Sequence, residues 1–197
     1  MRVSNPNNFG NHITEPVWRS REMLLNHAPT EITPWLFDQG SLTRRILLHC
    51  NQQFRVEVLS QQWQRPMLNE AFRLGVHPEH HALIREVLLY CGDIPWVFAR
   101  SVLPRNTLTG KRRFLGKLGN RPLGEILFSD PTILRDELEV AEIKKGQRMF
   151  DCATERIDNI PAAVWGRRSI FYLHKKPLLV NEVFLPSIIE QNKIDLV

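Results

Sequence analysis

The segment Ala82-Leu83-Ile84-Arg85-Glu86-Val87-Leu88-Leu89-Tyr90-Cys91-Gly92-Asp93-Ile94-Pro95-Trp96-Val97-Phe98-Ala99-Arg100-Ser101-Val102-Leu103 sets the architecture. Ala82 to Tyr90 and Pro95 to Leu103 are rich in β-branched, aromatic and aliphatic residues, and Cys91-Gly92-Asp93 lies between them. Glycine and aspartate between two such runs predict a β-hairpin. A second hairpin closes the chain. Arg167 to Leu173 pairs with Leu178 to Leu185 around His174-Lys175-Lys176-Pro177. Phe54, Val56 and Val58 alternate with Arg55 and Glu57, which predicts a strand reaching Trp63, and Ile133 to Glu142 alternates again.

Helical signals fill the gaps. Ser41 is a good N-cap for a helix over 41–51, with Leu42, Ile46 and Leu47 at helical spacing. A first helix is expected from Trp18 to Asn26. Two short helices are expected over 107–128, the first ended by Gly119 and the second begun near Pro122. Residues 66–81 read as irregular with one helical turn, and 144–163 as a charged surface excursion. Strands joined by hairpins or short helices, without βαβ alternation, argue for an α+β fold. Its sheet is mainly antiparallel, with helices on one side.

The chain has 197 residues, 43% hydrophobic and 24% charged. That is ordinary globular composition and argues against disorder, collagen and coiled coil. No stretch approaches the ~18 apolar residues of a membrane span. Residues 1–15 are polar and Asn-rich and are expected to be flexible; 16–197 read as a single domain. The N-terminus lacks the apolar core of a secretory signal. Cys50, Cys91 and Cys152 are odd in number and widely spaced, which suits thiols in a reducing compartment, so the protein is expected in the cytoplasm. The net charge of +5 is compatible with an anionic partner, or with solubility alone.

Two charges stand out by alternation. Arg85 shares a strand face with Leu83, Val87 and Leu89; Glu182 shares one with Leu178, Val180 and Phe184. Such charges are costly among apolar neighbours unless paired or facing a ligand. The two alternatives are an Arg–Glu ion pair, and a closed pocket where Arg85 binds a carboxylate and Glu182 handles a proton. From Ile94 to Gly124 there is no Asp or Glu, while seven Lys and Arg and four glycines occur. That stretch is either a solvated basic face or a mobile lid. Alternation sends Arg167 and Arg168 to opposite faces, one of them inward. His77, His80 and His81 lack a further Cys or His pair, so no metal site is expected. Gly116-Lys117 is not a phosphate loop, because Leu118 stands where Ser or Thr must touch magnesium.

Taken in order, several short motifs resemble the chorismate pyruvate-lyase family. They are Pro34-Trp35-Leu36 through Ser41-Leu42-Thr43-Arg44-Arg45, Ile84 to Leu89, Pro95 to Ser101, Leu115 to Gly119, Arg121-Pro122-Leu123-Gly124, Trp165 to Ser169, and Lys176 to Pro186. The resemblance spans roughly residues 16–188. It implies an α+β fold whose mainly antiparallel sheet carries helices and helical flaps covering a buried ligand pocket. It also implies cofactor-free conversion of chorismate to 4-hydroxybenzoate and pyruvate, the first step of ubiquinone biosynthesis. It puts the family arginine on Arg85, the family glutamate on Glu182 and a substrate-contacting leucine on Leu123. Leu42 falls at a further substrate-binding position, where the best-known pattern has methionine. A monomer is expected, taking a small molecule and not nucleic acid. Two rivals are a ligand-sensing domain of the same fold, which usually follows a DNA-binding domain, and hydrolysis of chorismate's enolpyruvyl ether. Basic charge alone would support nucleic-acid binding, with steep salt dependence as its signature.

Overall fold

The computed structural model describes residues 14–24 and 27–194. In chain order the elements are β1 (Arg19–Ser20), α1 (Arg21–Leu24), α2 (Thr33–Leu36), α3 (Leu42–His49), β2 (Phe54–Gln64), α4 (Leu68–Leu74), β3 (Ala82–Cys91) and β4 (Ile94–Pro104). A 3-10 helix (Gly110–Lys117), α5 (Leu123–Ser129), β5 (Leu134–Arg135), β6 (Glu139–Lys144), α6 (Arg148–Thr154), β7 (Ala163–Leu173), β8 (Lys176–Phe184) and α7 (Pro186–Ile194) follow. The fold is α+β. One antiparallel sheet runs β1-β6-β7-β8-β4-β3-β2, and β5 pairs with β7.

Both hairpins form where alternation puts them. β3 pairs with β4 from Ala82↔Pro104 to Cys91↔Ile94, and Gly92 takes the left-handed conformation the turn needs. The β7–β8 turn places His174 and Lys175 at positive φ, as a two-residue hairpin turn requires. Ser41 caps α3, its hydroxyl accepting from the Arg44 amide.

The sheet separates two cores. On one face α2 and α3 pack Trp35, Leu36 and Ile46 against Trp96, Val97 and Phe184. Trp35 and Trp96 meet edge to face. On the other, Met149 and Phe150 of α6 pack against Phe98, Val183 and Leu185.

Four expectations are corrected. Between 18 and 26 only Arg21–Leu24 is helical; Arg19 and Ser20 extend the sheet beside β6, and residues 25–26 lie outside the described residues. The stretch 66–81 contains a true helix, α4. Its first amides are capped by the Glu15 carboxylate, which accepts from Leu68 and Asn69, and Glu70 accepts from the Met67 amide. Thr14 and Glu15 are thus tied into the fold, while residues 1–13 of the stretch expected to be flexible lie outside the described residues. The strand expected over 133–142 is broken. Asp136 accepts from the Glu137 amide and bends the chain, leaving β5 and β6 as separate pieces. The excursion at 144–163 is not purely surface, because α6 buries Met149, Phe150 and Ala153.

The cysteine reading is also corrected. Cys50, just after α3, and Cys91, at the end of β3, form a disulfide with a Cα–Cα distance of 5.6 Å. The register explains it. Cys91 pairs with Phe54, four residues beyond Cys50, so strand pairing brings the two together. Cys152 remains a thiol, its pKa raised by burial. Among the described residues no helix is long and apolar enough to cross a membrane.

Candidate active site

The sheet face that carries Phe184 and packs against Trp35 also carries a small, partly open cavity of about 40 Å³. Arg85, Val87, Ser101, Leu123, Phe171 and Glu182 are among the residues of its wall. The period-2 rule puts Arg85 and Val87 on one face of β3, and Glu182 with Val180 on one face of β8. Strand β4 lies between them, with Arg85 opposite Ser101 and Glu182 opposite Ala99. Strand spacing places the Cα atoms of Arg85 and Glu182 roughly 10–12 Å apart, so their side chains converge from two sides of one space.

Arg85 is 2% exposed and has no carboxylate partner among the described residues. Its Nη2 donates to the carbonyls of Gly119 (2.8 Å) and Arg121 (3.2 Å), between the 3-10 helix and α5. Its Nε is buried with no hydrogen-bond partner. Burial pulls its pKa below the ordinary arginine value. A buried cation with an idle donor is costly, and a carboxylate is the group that fits its fork.

Glu182 does not pair with Arg85. Its Oε2 accepts from Arg167 Nε at 2.6 Å. Arg167 is itself held by the carbonyls of Trp35 and Asp38 through Nη1. The remaining Glu182 oxygen has no partner among the described residues. Gly166, beside Arg167, is needed for close approach: a Cβ there would meet the Glu182 carbonyl at 3.1 Å and Ile143 Cδ1 at 2.8 Å.

The roof is the segment from the 3-10 helix through α5. Leu123 is buried against the cavity, and Gly124 lets α5 sit close to Thr43 of α3. None of the basic residues between Ile94 and Gly124 lines the cavity. Arg100 faces the opposite side of the sheet, and Arg112 is tied to the Thr107 carbonyl. Leu42 also lies away from the cavity. It is buried in the core with Trp35 and Ile46, and its neighbour Thr43 reaches the wall instead. Outside the roof lies an open groove of about 1130 Å³ between α3 and α5, sharing Thr43, Pro122 and Phe128 with the cavity wall.

The opposite face holds a second buried charge cluster. Arg100 and Glu70, both fully buried, form a bidentate pair at 2.8 and 3.1 Å. Glu86 and Asn181 complete it, at 2.6 Å from Arg100 and 3.1 Å from Glu70. Glu70 and Arg100 use each other fully, Asn181 Oδ1 is left without a partner among the described residues, and none of these residues lines the cavity beside Arg85, so the cluster reads as scaffold. Arg168 joins the same side, donating to Glu139 and Asn69.

Fold and site together define a class: an α+β domain that shuts a small polar-ended cavity between an antiparallel sheet and a helical roof. Comparison with known proteins gives the family. The sequence pattern described as Chorismate lyase matches residues 13–194, and the chain belongs to that family. It is similar to a probable chorismate pyruvate-lyase of Nitrosomonas europaea, 41% identical over 161 residues, covering 82% of this chain and 90% of the relative. A probable chorismate pyruvate-lyase of Pseudomonas aeruginosa is 41% identical over 175 residues, covering 89% and 94%. Among solved structures, the C-terminal domain of the histidine utilization repressor from Pseudomonas syringae superposes with a TM-score of 0.51 at 11% identity, over 68% of this chain and 93% of that one. That likeness is one of fold.

Proposed function

We propose that the protein is a chorismate lyase that releases 4-hydroxybenzoate and pyruvate without a cofactor, the first step of ubiquinone biosynthesis. The observation that supports it is the cavity itself: an arginine with an idle buried donor at one side and a pinned carboxylate at the other. Arg85 takes the ring carboxylate through Nε and Nη. Glu182 lies near C4 and its hydroxyl. Its free oxygen accepts the C4 proton as the C3–O bond breaks, and the ring becomes aromatic. That proton is then delivered to the departing enolpyruvate, which becomes pyruvate, so atoms and charge balance. Leu123 and its neighbours exclude water and hold the ring in line.

A cavity of about 40 Å³ has room for little more than one water, whose share of liquid volume is about 30 Å³. Substrate therefore enters by lifting the roof, whose carbonyls at Gly119 and Arg121 release Arg85 as the carboxylate arrives.

The test is direct. Purified protein is incubated with chorismate alone and the products are separated by chromatography. Equimolar 4-hydroxybenzoate and pyruvate above background are expected. A well-folded protein that consumes no chorismate refutes the reading in favour of a ligand sensor, and a dihydroxylated diene refutes it in favour of hydrolysis. Glu182→Gln is expected to lose turnover yet bind 4-hydroxybenzoate. Arg85→Ala is expected to weaken that binding by about tenfold to a hundredfold.

A further inference from the structure

Charge around the cavity does not balance. Three guanidinium groups approach it on this face: buried Arg85 and Arg167, and half-buried Arg135. The one carboxylate in the wall is Glu182. The pair of Asp38 with Arg45, at 3.0 Å, adds one charge of each sign, and the Asp38 carboxylate also acts on Arg135 and Arg167. The surplus is two positive charges. Chorismate carries two carboxylates, and 4-hydroxybenzoate carries one. Arg85 accounts for the carboxylate that substrate and product share. Arg167 is committed to Glu182 and two carbonyls.

Arg135 is the unassigned cation. It lies on β5, paired in register with Phe171 of β7. Its Nε donates to Ser169 Oγ at 3.0 Å and its Nη1 to the Gln39 carbonyl at 2.9 Å. No carboxylate lies within ion-pair distance among the described residues. The guanidinium sits over Phe128 and Phe171, at 5.6 and 5.4 Å from the ring centroids. Both rings are cavity wall. Burial lowers its pKa, and Glu182 and Arg167 are the next two influences on it, one opposing the shift and one adding to it. Arg135 therefore stands just behind the wall, within electrostatic reach of the Glu182 end. Phe128 rides on α5, the roof element that lifts to admit substrate, and it is 39% exposed. Lifting it uncovers the guanidinium.

We propose that Arg135 receives the enolpyruvyl carboxylate of chorismate, making it the residue that selects the two-carboxylate substrate over the one-carboxylate product. This rests on the lyase reading above. The alternative is a purely structural role, tethering β5 to Gln39.

The experiment uses the full chain carrying Arg135→Gln or Arg135→Lys. The Michaelis constant for chorismate is measured beside the calorimetric Kd for 4-hydroxybenzoate. Arg135→Gln is expected to raise KM about tenfold to a hundredfold while the 4-hydroxybenzoate Kd stays within about twofold, and Arg135→Lys to fall between. An unchanged KM overturns the proposal. So does an equal loss of both affinities, which is the signature of a structural role. A second measurement needs no variant and no turnover. The wild-type protein is titrated with 3-(carboxymethoxy)benzoate and with 3-methoxybenzoate, which differ by the second carboxylate. At least about tenfold tighter binding of the dicarboxylate is expected. Equal affinities overturn the assignment whether or not chorismate is consumed, so the outcome is separable from failure of the lyase reading.

Discussion

Replacing Glu70 by leucine isolates the worth of the scaffold cluster. The carboxylate is fully buried and accepts two hydrogen bonds from Arg100, one from Asn181 and one from the Met67 amide. Glu70→Leu leaves the Arg100 guanidinium at 0% exposure with only the Glu86 carboxylate, whose side chain is 14% exposed. Removing one partner of a buried ion pair costs about 3–5 kcal/mol. The surviving Glu86 contact favours the lower half of that range, and loss of the bond to the Met67 amide adds about 1 kcal/mol. A total near 4 kcal/mol is about a third or more of the stability of an ordinary domain. The assay is urea unfolding followed by tryptophan fluorescence. Pairing Glu70→Leu with Arg100→Met removes the stranded charge and should recover stability to within about 2 kcal/mol of wild type. A single-variant loss below about 1 kcal/mol, or a double variant no better than the single, would falsify the reasoning.

Three further predictions concern other parts of the fold. The Cys50–Cys91 disulfide closes a loop of 41 residues, so Cys50→Ser should lower stability by about 4 kcal/mol in the chain-entropy model, and Cys91→Ser should add nothing to it; three titratable thiols in the unfolded, unreduced protein would refute the bond. Burial pushes the Glu139 carboxyl up, but hydrogen bonds and charge from Arg168 and Arg73 outweigh it and hold the group below its ordinary 4.5. Its stabilising contribution is therefore present above about pH 4.5 and lost as pH falls through the folded value. Glu139→Gln should flatten the acid side of the stability profile, and an unchanged slope would count against the ion pairs. Gly166→Ala presses a methyl group on the Glu182 carbonyl, and a shift of a few tenths of an ångström there should cut turnover on the order of tenfold with 4-hydroxybenzoate affinity nearly kept; wild-type turnover would show that the strand yields without moving the carboxylate.

What the sequence discloses follows from how local each cause is. Both hairpins and the cap at Ser41 rest on residues a few positions apart, and they are legible. So is the placement of Arg85 and Glu182 on inward strand faces, and the structure brings both to one cavity with Leu123. Helix α4 is hidden because its cap comes from Glu15, 53 residues before Leu68, while Pro66, Gly75 and Pro78 argue locally for a loop. Glu70 is hidden as a buried charge for the same reason. The disulfide depends on strand register and not on cysteine spacing. Arg135 is obscured because alternation runs unbroken over 133–142, whereas the bend at Asp136 sets β5 apart. Alternation with Arg168 singles out Arg167, but its choice of Glu182 depends on the β7–β8 register.

Adjacent residues on the central strands serve opposite faces. Arg85 and Ser101 look into the cavity, while their neighbours Glu86 and Arg100 belong to the scaffold cluster. Asn181 and Glu182 divide in the same way, as do Arg167 and Arg168. Length changes along these strands are therefore forbidden in a way that substitutions are not. Deleting one residue upstream of Asn181 within β8 would turn Glu182 toward Glu70 and leave Arg167 without its carboxylate. Relatives of this chain should differ in length at turns and at the 144–163 excursion, and keep these dipeptides in phase.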